Sequence, residues 1–61
     1  MKNQKFAVTY IDTLNGIKSS ESINPAELKF FLRDERNGEI VITEILQSFD
    51  DWDTCEVLYT A

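Results

Sequence analysis

Both ends of one helix are written between Ile23 and Gly38, and that pair of signals constrains the fold more than anything else in the chain. Asn24 is a good N-cap, because its side-chain oxygen can accept a bond from a first-turn N–H that has no helical partner. Pro25 falls at the first helical position, where a missing N–H and a fixed φ do no harm. Glu27 follows at the third position, which makes a capping box with Asn in place of Ser or Thr. Ile23 and Leu28 have the spacing of a hydrophobic staple, and Leu28, Phe31 and Leu32 form an i, i+3, i+4 apolar stripe. Arg33 and Arg36 sit at the carbonyl-rich end, where positive charge is favoured. Asn37-Gly38 supplies a left-handed stop.

A chain of 61 residues is one domain, spanning 1–61. At this size only about 60% of the unfolded surface is buried, so the core is small and an extra staple is usual. Cys55 is the single cysteine and there is no histidine, so neither an internal disulfide nor an ordinary zinc site can be built. An association surface, a second copy of the chain included, is the staple that remains. No apolar run approaches the ~20 residues of a membrane span, and the longest, Ile40 to Leu46, is interrupted by Thr43 and Glu44. Six Lys/Arg against eleven Asp/Glu give a net charge of −5, which argues against direct binding to DNA or RNA phosphates. A lone cysteine and the absence of a secretory leader lead us to expect a reducing, cytoplasmic setting.

The remaining segments read as strands. Met1 to Gln4 is polar and expected to fray. Lys5 to Leu14 alternates Phe6, Val8 and Tyr10 against Ala7, Thr9 and Ile11. Asn15-Gly16 predicts a two-residue type I′ hairpin, which would set Tyr10 opposite Glu21 and Val8 opposite Ile23. One face then carries Phe6, Val8, Tyr10, Leu14, Ile17 and Ile23, and the helix should cover it. The other carries Ala7, Thr9, Ile11, Thr13, Lys18, Ser20 and Ser22. Ile17 to Ser22 is polar, as suits an edge strand. Glu39 to Gln47 is a third strand, with Ile40, Ile42 and Leu46 on one side and Val41 and Ile45 on the other. Ser48 to Thr54 is an acidic, aromatic connection in which Ser48 and Asp51 could cap a single helical turn. Cys55 to Thr60 is a last strand, with Cys55, Val57 and Tyr59 alternating against Glu56 and Leu58. The expectation is an α+β fold, ββαββ, with a four-stranded antiparallel sheet in the order 2-1-3-4 and one helix packed on one face.

Candidate sites are few. Asp50, Asp51, Asp53 and Glu56 offer oxygens for a hard cation, but the stretch lacks the central glycine of a calcium loop, so no metal or other cofactor is assigned. Catalysis would need a pocket on the order of 300 Å³ or more and a nucleophile–base pair. Hardly any such volume is expected of one short helix on a sheet, and no such pair is visible, so no catalytic residue is assigned and the chain is not read as an enzyme. Cys55 follows aspartates and precedes Glu56, surroundings that suit an inert, partly buried thiol. Phe49, Asp50, Asp51, Trp52, Asp53 and Glu56 form an aromatic, acidic stretch suited to a basic, apolar pocket on another protein, with burial of Phe49 and Trp52 as the alternative. Ala7, Thr9, Ile11, Val41 and Ile45 are expected on the face that one helix cannot cover, as the interface of a two-fold homodimer. A small cytoplasmic protein-binding module of the bacterial or phage accessory type is therefore expected, occluding or bridging a protein partner. The alternatives are an inhibitor whose carboxylates mimic nucleic-acid phosphates and, further off, a small enzyme.

The helix start is directly testable. Asn24→Ala should destabilise the domain by about 1 kcal/mol through loss of the cap. For a chain this short that is a drop of several degrees in melting temperature, read by far-UV circular dichroism.

Overall fold

Alternating side chains and one bounded helix build the expected architecture. The computed structural model describes residues 4–61 and orders the elements as β1 (Lys5–Asp12), β2 (Lys18–Ile23), α1 (Pro25–Arg36), β3 (Ile40–Ser48) and β4 (Glu56–Thr60). The four strands form one antiparallel sheet in the order β2-β1-β3-β4, with α1 on one face. Met1 to Asn3, read as a frayed end, lie outside the described residues. Gln4 does not fray: it is half-buried and its amide donates to Gln47 Oε1 at 3.2 Å.

Local signals account for the helix. Asn24 Oδ1 accepts from the Glu27 N–H at 3.1 Å, and buried Ile23 joins Leu28 in the core as the staple requires. At the far end Gly38 takes φ +79°, its N–H bonds the Glu35 carbonyl, and the Glu39 N–H bonds the Asp34 carbonyl. These are the two bonds of a Schellman stop. The stripe is narrower than expected. Leu28 and Phe31 pack on the core, but Leu32 is about half exposed. On the same side as Phe31, Glu35 Oε2 accepts the backbone N–H of Ile42 at 2.9 Å and ties helix to strand.

The first hairpin departs from the two-residue turn. The N–H of Asp12 bonds the Ile17 carbonyl, and the pairing runs Phe6 to Ile23, Val8 to Glu21 and Tyr10 to Ser19. That is two residues off the expected register, so the faces are kept but the partners change. Only Gly16 has positive φ, at +70°, and Asn15 does not. The reason is Asp12: its Oδ1 accepts from the Leu14 N–H at 2.7 Å and from the Asn15 N–H at 3.3 Å, an Asx turn that replaces the I′ geometry. Leu14 and Ile17, expected in the core, therefore sit exposed in the turn. Tyr10 and Glu21 still meet, now diagonally, with the hydroxyl donating at 2.8 Å. That bond, with some burial, raises the Tyr10 pKa.

The larger departure lies in β3. Tyr10 pairs with Ile42 but Thr9 pairs with Glu44, so Thr43 is an extra residue opposite the β1 ladder. Its hydroxyl donates to the Thr9 carbonyl at 3.2 Å. A bulge of one residue reverses the alternation beyond it. Ile45 consequently turns to the helix side and joins Phe6, Val8, Ile23 and Ile42 as the buried core, and Leu46 moves to the other face. The assignment of Ile45 to the uncovered face is thus corrected. A second bulge at Leu58 separates Val57, paired with Leu46, from Tyr59, paired with Ile45, so these two do not share a face.

The re-phasing predicts opposite outcomes for neighbours. Ile45→Ala should lose about 2 to 5 kcal/mol by urea denaturation, the range for a buried isoleucine. Leu46→Ala should lose clearly less. Equal losses would mean that β3 runs without the bulge.

Candidate functional site

Two surfaces hold the residues singled out by sequence, and the structure adds a third. The loop between β3 and β4 is the first. Ser48 is almost fully buried and organises it, with its hydroxyl accepting the N–H groups of Trp52 at 2.9 Å and Asp50 at 3.3 Å and donating to Asp50 Oδ1 at 3.0 Å. Asp50 also accepts the Thr54 N–H at 3.0 Å and, through its other oxygen, the Thr54 hydroxyl at 2.7 Å. Asp51 and Trp52 take positive φ, 62° and 73°, and the Asp53 N–H bonds the Asp50 carbonyl at 3.3 Å. This is the pattern of a type I′ turn, placed on residues with a β-carbon, where it costs on the order of 1 kcal/mol or more per residue. No helical turn forms between Ser48 and Thr54, because the Ser48 hydroxyl and the Asp50 carboxylate bond the loop's own N–H groups and Asp51 takes left-handed backbone.

Such bonding sorts the proposed partner-binding residues. Asp50 is exposed, but its carboxylate is taken up by Ser48 and Thr54. Asp51, Asp53 and Phe49 are exposed, and Trp52 is half-buried. Neither Phe49 nor Trp52 enters the core. Glu56 accepts the Gln47 amide at 3.3 Å on the helix side of the sheet. Cys55 is exposed rather than partly buried. Thr54 was missed from the sequence, and Ser48, read as a cap of a helical turn, caps this loop together with Asp50 instead.

The second surface is the sheet face opposite α1. Ala7, Thr9 and Ile11 are half-buried there, and Val41, paired with Ile11, is 48% exposed. Leu46 takes the place expected of Ile45, and Val57 extends the apolar strip onto β4. Glu44 and Lys18 lie on the same face, set by their pairing with Thr9 and Ile11.

The third was not foreseen. Where the β1–β2 turn meets the end of α1, a shallow recess of about 420 Å³ is lined by Asp12, Leu14, Asp34, Glu39 and Ile40, among others. Its volume exceeds what was expected of so small a sheet. The turn is held there by Thr13, whose hydroxyl lies 2.8 Å from the Gly38 carbonyl and 2.9 Å from that of Glu39. That hydroxyl donates to backbone oxygen rather than to one of the recess's carboxylates. Among the described residues, no group of three or more acidic, cysteine or histidine side chains could hold a metal ion.

The loop's dependence on Asp50 has a pH signature. Bonds from the Thr54 side chain and N–H, with a further one from Ser48, hold its pKa below the ordinary value of 3.8. A folded-state pKa below the unfolded one favours folding above pH ~4, a contribution lost as pH falls through the folded value. Trp52 emission should therefore shift on acidification below the usual carboxylate range, and Asp50→Ala should show the shifted emission already at neutral pH. Unchanged emission in that variant would mean that Ser48 alone holds the loop. No protein-family model matches the chain, and no curated protein or solved structure matches it either.

Proposed function

We propose that this chain is a small protein-binding module that docks through the sheet face opposite its helix. The carrying observation is that one helix buries one side only, while Ile11, Val41, Leu46 and Val57 form an apolar strip on the other with nothing packed over it among the described residues. Antiparallel sheets tolerate a wet face when it is polar. This one alternates apolar residues with a few polar ones, the composition of a contact surface. A net charge of −5 favours a partner whose contact rim is basic. Binding there would occlude the partner's surface or bridge it to another.

Nucleic-acid mimicry has less support. The carboxylates are divided between both faces and both ends, and several are committed internally: Asp12 to the first turn, Glu21 to Tyr10, Glu35 to Ile42 and Asp50 to its own loop. An enzyme reading has least, because the recess's one hydroxyl, that of Thr13, is bonded to backbone carbonyls and not to a base.

Val41→Glu should leave the melting temperature nearly unchanged, since the side chain is half exposed, and should abolish recovery of a partner that the wild-type chain captures. Trp52→Ala should retain that partner. Recovery by Val41→Glu with loss in Trp52→Ala would move the site to the acidic loop.

A further inference from the structure

We propose that β4 is a self-association edge, through which two copies of this chain pair antiparallel into one eight-stranded sheet. Among the described residues no strand pairs with the outer side of β4. Its backbone donors and acceptors there are free to take another strand. The two sheet edges differ in chemistry. β2 reads Lys-Ser-Ser-Glu-Ser-Ile, with a lysine and charges of the kind that discourage strand addition. β4 reads Glu-Val-Leu-Tyr-Thr, and Val57, Leu58 and Tyr59 are 57%, 48% and 45% exposed. No lysine or proline blocks it.

A second copy is the occupant because β4 is an apolar strand that matches itself, and charge selects this edge over the open face. Two chains of −5 repel, so a stable arrangement must keep their carboxylates apart. β4 carries one charged residue, Glu56, at its beginning. Antiparallel pairing puts the two Glu56 side chains at opposite ends of the contact. Stacking two open faces would instead desolvate Glu44 and Lys18 of both copies. A basic peptide would meet a single carboxylate along β4, so the matching strand is an apolar one, and β4 itself is such a strand. A core of five side chains, with no internal disulfide, gives the chain reason to use a partner. The two-fold axis runs perpendicular to the sheet, which leaves both helices on one side and both open faces on the other. The dimer stands whether or not the open face binds a protein. If that reading also holds, the docking surface is doubled.

A five-residue edge makes a contact below the standard interface size, so association should be weak and concentration-dependent. Sedimentation equilibrium from low micromolar to millimolar chain should show dimer growing in. Cys55, the single thiol, takes a spin label directly before β4. Pulsed electron resonance on the dimer should give a label separation of roughly 20 Å or slightly more, set by the six or seven strand positions between the two Cys55 at about 3.3 Å each. Leu58→Lys should remove both the dimer and that distance while keeping the circular dichroism spectrum, and Ile11→Glu should keep the dimer. A monomer at every concentration overturns the proposal. Loss of the dimer in Ile11→Glu but not in Leu58→Lys also overturns it, and places association on the open face. Should Leu58→Lys fail to fold, the Cys55 separation in the wild-type chain decides alone. Val41→Glu reports separately on partner docking, because a chain that dimerises normally yet binds no protein leaves this proposal standing.

Discussion

The single extra residue at Thr43 governs how this small domain divides inside from outside. A strand that alternates strictly would put Ile42 and Ile45 on opposite faces. With the bulge they point the same way, and β3 supplies two of the five buried apolar side chains among the described residues. Because β3 lies at the centre of the sheet, its phase is inherited by the neighbour that follows. Leu46 is turned outward and pairs with Val57, which carries an apolar strip across the uncovered face. The second bulge, at Leu58, sits just beyond and shifts Tyr59 to the helix side. Which side chains of β3 and β4 enter the core and which lie on the open face thus follows from two local irregularities.

The helix is attached by few contacts of different kinds. Phe31 stacks in a tilted arrangement on Tyr10, with ring centroids 5.3 Å apart, and Leu28 completes the staple with Ile23. Glu35 adds a charge-assisted bond to the Ile42 N–H, one position from the bulge. Thr13 then pins the first hairpin to the helix stop. No helix residue is fully buried. On the outer side Lys29 and Arg33 both lie within 5.4 Å of the Phe30 ring centre, so an exposed aromatic is covered by cations of its own helix. Apolar surface is left open on the sheet side and along β4, and on the helix at Phe30 and Leu32.

The acidic loop illustrates how hydrogen-bond satisfaction removes residues from a candidate site. Read as a string, Ser48 to Thr54 offers aromatics and carboxylates together. Folded, Ser48, Asp50 and Thr54 turn toward each other's hydroxyl and backbone groups and hold Asp51 and Trp52 in left-handed backbone. Phe49, Asp51 and Asp53 are exposed with side chains that no bond of the loop ties down, whereas exposed Asp50 and Thr54 are bonded to each other. The type I′ geometry expected at Asn15-Gly16 occurs here instead, because Asp12 claims the first turn for an Asx geometry while the Ser48–Asp50 pair holds the second.

Local chemistry alone determined the helix, its two caps, the number of strands and their order. Asn24, Pro25 and Gly38 act within a few residues of themselves, and alternation with turn residues separates strand from strand. The polar β2 edge was legible for the same reason. What tertiary structure decided is every feature that depends on a partner strand. The bulge shows on its own strand only as a break in alternation, two polar residues between the isoleucines of Ile-Thr-Glu-Ile, and the place of the extra residue is settled only when β1 is laid beside it. The two-residue register offset of the first hairpin depended on competition between Asn15-Gly16 and the Asp12 carboxylate, and a side-chain bond won. The recess at Asp12, Asp34 and Glu39 joins a turn to a helix end that are far apart in sequence. Exposure of β4 followed from its place at the sheet edge rather than from its composition, which is that of an interior strand.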